Sequence, residues 1–404
     1  MQVHAQLATS TTVSLRILRS EAEIETVRHP WLRWQQHPNS DLEFFLAIAR
    51  VRPEVISPYV IALYRHDVLE TLLVGRVERD YFRLRVGYLD LVRVPIRTLT
   101  FVYAGLLGNA SDVNCAALLR ALPYYLISEG AQLARLHFVK LASPLHRAAI
   151  LASPLLSRDH FAEIRAHWLL KLPRNIGEIY ATMSPKARRN RRYETNRLLK
   201  HFTSVHVVCY TQEADIIQIL RDAESIACRT YQRGLGVGFM ASQENLTRFT
   251  LEAARDRLRA YFLYLDQKPV AFLLGTLSGN VLYDNFSAYD PDYGTYSPGT
   301  VLLLQILERL CADGVEAVDF GFGDAWYKAQ FGNERFEEAT ISVFAPTLSG
   351  FGLNLVRLPP LILNRFVAKM LRNLKVFHLV KRRWRAWAQR QTSATTSPSC
   401  ISLP

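Results

Sequence analysis

Cysteine is scarce and unpaired in this chain. Five cysteines (Cys115, Cys209, Cys228, Cys311 and Cys400) are scattered over 404 residues with no CxxC pair. That argues against a disulfide scaffold or a zinc ribbon and fits a reducing compartment. The eleven histidines form no HxxxH and no His/Cys cluster, so no metal site is expected. Also missing are a GxSxG elbow and a GxxxxGK[ST] loop, so covalent serine chemistry and ATP hydrolysis have no support. No stretch offers the about 18 uninterrupted apolar residues of a membrane span. Met1–Ser20 alternates polar and apolar residues and lacks the apolar core of a secretory signal. The expected location is cytoplasmic. Acid is the last absence: after Glu338 there is no Asp or Glu, and the remaining 66 residues hold ten Lys or Arg. They carry +10 of the +13 net charge and leave residues 1–338 near +3. The basic balance therefore describes a tail more than a fold, and the body is not expected to bind nucleic acid.

What is present is ample core material, with 49% hydrophobic and 21% charged residues. The length calls for two domains or a duplicated fold. Repetition is visible. In the second half Arg259–Leu265 and Val270–Leu277 flank the turn 266–269, and Val281–Tyr289 is a third strand. A loop with two prolines follows. The apolar spacing of Gly299–Ala312 then predicts a helix, ended by Gly314, before a short strand Val315–Phe320. The first half runs in the same order: strands Tyr59–Tyr64 and Glu70–Val77, strand Thr98–Tyr103, helix Val113–Ser128, Gly130, and strand Ala134–Val139. A strand–helix–strand crossover places its last strand parallel in the sheet. Between the halves, helices are predicted over Asn175–Met183, Lys186–His201 (Ser184 as N-cap, Pro185 at the first position), Ala214–Tyr231 and Asn245–Arg259, with a glycine-rich loop at Gly234, Gly236 and Gly238.

Three blocks carry a family resemblance: Met183–Arg192, Tyr296–Gly299 opening a helix, and Asp319–Gly332 (DFGFGDAWYKAQFG). Over about residues 175–345 the chain resembles the GNAT acyltransferases, and more closely their CelD-type, BioF2-like branch. Over 40–170 the resemblance rests on element order. A tandem of GNAT-like halves also resembles the Fem-type aminoacyltransferases. The resemblance implies an α/β fold of two GNAT-like halves with mixed, mostly antiparallel sheets flanked by helices. The expected division is an N-terminal half (1–174), a C-terminal acyltransferase domain (175–345), a basic amphipathic helical tail (346–390) and a disordered end (391–404).

Acyl transfer from a thioester requires a held donor, a neutral amine and a stabilised leaving thiolate. A helix N-terminus of small residues binds a pyrophosphate through free N–H groups and the helix dipole. Ser297, Pro298, Gly299, Thr300 and Val301 supply one, with Tyr296 before them. The resemblance implies that this is the coenzyme A loop, with Lys328 as a further donor contact. An ordinary Pro-capped helix satisfies the same local sequence. Tyr327 follows the last crossover strand, where the resemblance implies a proton donor to the thiolate; a packing tyrosine also fits. Asp284, Asp319 and Glu224 are candidate general bases, each equally readable as a cap or turn residue. Arg188, Arg189 and Arg192 lie on a basic helix, with Asp324 nearby in the third block, and would suit an anionic acceptor such as a nucleotide sugar, a lipid head group or a polysaccharide precursor; RNA fits the charge as well. The reading is thus an N-acyltransferase using acetyl- or another acyl-coenzyme A, without metal. A Fem-like aminoacyl-tRNA-dependent transferase and an inactive binding module are the alternatives. In the tail, Leu363, Phe366, Val367, Met370, Leu371, Leu374 and Phe377 recur at helical spacing with Arg365, Lys369 and Arg372 on another side. Such a helix either lies peripherally on an anionic membrane surface or packs on the protein body.

Overall fold

The computed structural model describes residues 3–4, 13–86, 89–152, 154–234, 238–323 and 325–373. Asp324, Gly236 and the segment 374–404, on which part of the tail reading falls, lie outside them. The strands are β1 (Val3–His4), β2 (Val13–Leu18), β3 (Val55–Arg65), β4 (Val68–Val86), β5 (Leu89–Gly108), β6 (Leu133–Lys140) and β7 (Glu163–Lys171). They continue as β8 (Val205–Tyr210), β9 (Leu258–Leu265), β10 (Lys268–Ser278), β11 (Val281–Tyr289), β12 (Ala317–Phe322) and β13 (Glu334–Phe344).

The chain forms two compact units. Of the described residues, one unit comprises those up to 165 together with 336–373, the other those of 166–335. This division differs from a cut at residue 174. In the first unit the sheet order is β1-β2-β3-β4-β5-β6-β13, with β5 and β6 parallel and the other recorded pairs antiparallel. In the second it is β7-β12-β11-β10-β9-β8, with β11 and β12 parallel. Each crossover helix therefore precedes a strand that pairs parallel, as the duplicated plan predicts. The closing strand beside each crossover comes from the other half of the sequence. β13 pairs antiparallel with β6, and β7 pairs antiparallel with β12. Both lie next to a crossover strand rather than next to a sequence neighbour, which is why strand periodicity alone does not locate the boundary.

The alternation of side chains across each sheet explains its layers. In β3, Tyr59, Ile61 and Leu63 face the helix Asp112–Ser128 through Cys115, Leu118, Leu119 and Leu122. Val60 and Ala62 face Ile24, Trp31, Leu42 and Phe45 of the N-terminal helices. The second unit repeats this. Tyr261, Leu263 and Leu265 of β9 pack on Val301, Leu304 and Leu307 of the helix Pro298–Ala312. Ala260, Phe262 and Tyr264 pack on Ile219, Leu220 and Phe249 of the helices Ile216–Ala227 and Gln243–Ala253. Both faces of these central strands are covered, so they read as continuous apolar runs. No described helix is long and apolar enough to cross a membrane.

Candidate active site

The site forms where β11 and β12 stop pairing. Their parallel register covers only Val281–Tyr283 against Ala317–Asp319. β11 runs on to Tyr289 and β12 to Phe322 without each other. Just beyond that register, β10 and β11 shift between Leu274 and Gly275, opposite Phe286 and Asp284. Asn285, the extra residue of the bulge, donates its Nδ2 to Thr276 Oγ1 at 2.9 Å. Bulges re-aim side chains next to sites. Here the shift leaves Asp284 and Ser287 on speaking terms with the helix Trp326–Phe331, whose Tyr327 completes the cluster.

Ser287 Oγ donates to Asp284 Oδ2 at 3.1 Å and lies 3.3 Å from the Tyr327 hydroxyl, which itself donates to Asp284 Oδ2 at 3.3 Å. Asp284 Oδ1 is buried and has no hydrogen-bond partner among the described residues. Burial pushes the Asp284 carboxyl up to about 6; Lys328, Ser287 and Tyr327 oppose that rise, and nearby Asp319 adds to it. Burial raises the Tyr327 hydroxyl well above the usual tyrosine range, and the Asp284 charge adds to the shift. The phenol is thus held protonated, edge-on to Phe320 with ring centroids 5.8 Å apart. The arrangement holds an acceptor of protons (Asp284), a hydroxyl bridge (Ser287) and a proton donor (Tyr327) within one hydrogen-bonded set. Ser287 escaped the sequence reading because a serine on a strand carries no signal of its own.

The other expected residues are placed differently. Asp319 Oδ1 is taken by His167 Nε2 on β7 at 2.7 Å and by the Gly321 N–H at 2.7 Å. His167 is 1% exposed, so this pair is an interior anchor for the bulge that Gly321 (φ +67°) permits. Glu224 is not presented as a base. Its Oε1 accepts from Arg233 at 2.6 Å and its Oε2 from the Ala241 N–H at 2.8 Å, so it pins the chain on either side of the glycine loop. Lys328 is turned inward. Its Nζ donates to the carbonyls of Phe320 and, at 3.0 Å, Phe322, and burial lowers its pKa, so it is not offered to a phosphate. Tyr296 is a packing residue, edge-on to Phe202 and His201 and stacked under Arg197, whose guanidinium also donates to Thr295 O.

At the helix Pro298–Ala312, Ser297 adopts the left-handed conformation (φ 54°, ψ 44°) and its side chain caps nothing. The N–H groups of Thr300 and Val301 turn back to Ser297 O, and the Val301 side chain is in the core. The Gly299 N–H has no partner among the described residues. The helix start carries no acid, so its dipole is open to an anion. The cradle is therefore narrower than Ser297–Val301: one free N–H, the dipole and the Ser297 hydroxyl. A Cβ on Gly299 would lie 3.3 Å from Tyr289. The equivalent helix of the first unit, Asp112–Ser128, is closed to an anion. Ser111 caps the Asn114 N–H, and Asp112, paired with Arg147 at 2.7 Å, sits in its first turn.

Arg189 and Arg192 are exposed on the helix Pro185–His201 and Arg188 is half-buried. Arg191, part of the first resemblance block but not among the expected site residues, is buried. It pairs with Glu194 at 2.5 Å and covers the Trp326 ring at 5.6 Å, next to Tyr327. Among the described residues no group of His, Cys, Asp and Glu is arranged to hold a metal.

The chain matches the description "Acetyltransferase (GNAT) domain" over residues 185–329. No curated protein sequence matches it. Solved structures similar to it include a probable N-acyltransferase of Enterococcus faecalis V583 (10% identity, TM-score 0.42, covering 84% of this chain and 74% of that one). FemX is similar at 10% identity and TM-score 0.48, covering 83% and 95%. A tandem GNAT protein from the clavulanic acid biosynthesis pathway is similar at 11% identity and TM-score 0.47, covering 82% and 99%. At these scores the likenesses carry no argument about the site. The Asp284–Ser287–Tyr327 cluster and the uncapped helix start both fall inside the matched segment, and residues 185–329 belong to the GNAT acyltransferases, a family whose fold implies an acyl-coenzyme A co-substrate.

Proposed function

We propose that the second unit moves an acetyl or other acyl group from acyl-coenzyme A to the amine of an anionic acceptor, a glycan precursor of the cell envelope being the class favoured. The observation that carries the reading is the Asp284–Ser287–Tyr327 hydrogen-bonded set at the end of the β11–β12 register. The residues present fit the donor: an uncapped helix start without acid suits a pyrophosphate, and the acidic, capped helix of the first unit does not.

In this reading the acceptor reacts as the neutral amine, its ammonium having first released one proton to solvent, and Asp284 Oδ1, which has no partner among the described residues, takes the proton that the nitrogen loses as the amide forms. Its raised pKa, about 6, keeps it ionised at neutral pH yet basic enough to work. Tyr327 gives its hydroxyl proton to the departing thiolate. Ser287 Oγ, in reach of both, offers the path by which the proton held on Asp284 returns to Tyr327. One proton leaves the amine and one reaches the thiol, so the set is restored. Arg189 and Arg192 supply exposed positive charge for an anionic acceptor. The test is thermal stability with acetyl-coenzyme A, a longer acyl-coenzyme A and an aminoacyl-tRNA. The coenzyme A thioesters should raise Tm and the tRNA should not. A shift with aminoacyl-tRNA alone would reassign the donor.

A further inference from the structure

The first unit ends in two helices, Leu348–Val356 and Leu358–Asn373, joined at Arg357. Their junction is fixed. Asn354 Nδ2 donates to the carbonyls of Leu156 (2.7 Å) and Arg158 (3.1 Å). Arg357 pairs with Asp159 at 2.6 Å and covers the Phe344 ring at 4.5 Å. The second helix packs along β4. Among its described side chains, those that face solvent are apolar. Ile362 is 53% exposed, Leu363 46%, Phe366 65%, Val367 38% and Met370 46%, and Leu355 on the preceding helix is 67% exposed.

At about 100° per residue, positions 359, 362, 363, 366, 367 and 370 fall within an arc of roughly 140°. Single exposed apolar residues are ordinary, but a contiguous stripe on a rigid element marks a contact surface. By the same register, positions 365, 369 and 372, all basic, fall together along one flank of that arc. The chain beyond Glu338 has ten Lys or Arg and no acid, and it includes the run Lys381-Arg382-Arg383-Trp384-Arg385 and Trp387. An apolar stripe flanked by cations, on a helix too short and too charged to cross a bilayer, is the pattern of a helix lying in a membrane interface. A protein partner would need acids to match this charge, whereas an anionic lipid surface supplies negative charge and an apolar layer together.

We propose that this helix docks the first unit on an anionic lipid surface. The stripe from Ile362 to Met370 enters the acyl boundary, and the basic flank meets the head groups. The proposal is independent of the acyl-transfer chemistry.

The test is co-sedimentation of the full chain with phosphatidylglycerol vesicles and with phosphatidylcholine vesicles. Binding is expected on the first, at least about tenfold weaker on the second, and falling as salt rises from about 50 to about 500 mM. Ile362→Asp with Phe366→Asp and Met370→Asp should lower binding by at least tenfold at an unchanged Tm, since all three positions are exposed. Should that variant not fold, Arg365→Gln with Lys369→Gln and Arg372→Gln reads the charge separately, with about fivefold lost per residue. The proposal is overturned if the wild-type chain stays in the supernatant with phosphatidylglycerol. Sedimentation velocity then shows whether a second copy covers the stripe, or, in a monomer, the segment 374–404. It is equally overturned if the triple Asp variant binds as the wild type does, because the basic tail alone then accounts for the attraction.

Discussion

Replacing Asp284 with Asn separates the stability of the second unit from its chemistry. Burial raises the carboxyl from the ordinary 3.8 to about 6. Two units correspond to about 3 kcal/mol by which the fold disfavours the ionised form. The sign follows from the direction. A group whose folded pKa is raised adds no penalty well below pH 4, where it is protonated folded and unfolded. The penalty grows between about 4 and 6 and is complete above 6. Asn carries no charge at any pH, so it escapes this cost. Its amide nitrogen inherits the surroundings of Oδ1, which has no partner among the described residues, and that costs about 1 kcal/mol. The variant should therefore be more stable than wild type by about 2 kcal/mol at pH 8 and less stable by about 0.5 kcal/mol at pH 4, where the unfolded carboxyl is already about half ionised. In Tm this is a gain of about 4–8 °C at the higher pH. Scanning calorimetry of both proteins at pH 4, 6 and 8 reads it directly. At pH 8, where the variant is more stable, its turnover should fall at least about a hundredfold, since the proton acceptor is gone. A Tm difference that is the same at pH 4 and pH 8 refutes the argument, because the carboxyl is then not held in a shifted state.

In the wild type, kcat/KM should rise with pH through about 6, a limb that Asp284→Asn lacks; a pH–rate profile checks it. Tyr327→Phe keeps the ring against Phe320 and removes only the hydroxyl; turnover should fall about ten- to a thousandfold with KM for the donor nearly unchanged, seen in steady-state kinetics. Gly299→Glu brings bulk towards Tyr289 and a negative charge to the helix start, and it should abolish the Tm rise given by coenzyme A. Arg357→Ala leaves the Asp159 carboxylate, 2% exposed, with, among the described residues, backbone N–H partners alone, at Phe161 and Ser342; urea denaturation should show the first unit destabilised by about 3 kcal/mol.

The sequence by itself determined the repeated plan of strand pair, strand, helix and parallel strand. That plan is written in local patterns: apolar runs for strands buried on both faces, a 3.6-residue period for the two crossover helices, and Ser and Pro where helices start. It also placed Asp284 and Tyr327 among the candidates and marked the helix at Pro298. It could not tell Asp284 from Asp319 and Glu224. All three are acids near a strand or helix end, and the difference lies in partners distant in the chain: His167 for Asp319, Arg233 and the Ala241 N–H for Glu224, Ser287 and Tyr327 for Asp284. Nor could it see that Lys328 is spent on two strand carbonyls, or that β7 and β13 close the sheets of opposite halves. In the tail, periodicity found the apolar stripe, but a period is the same whether a face is buried or bare. Only the tertiary structure decided that the first unit leaves this one to solvent, because Asn354 and Arg357 fix how the helix leaves the body and so which side it turns outward.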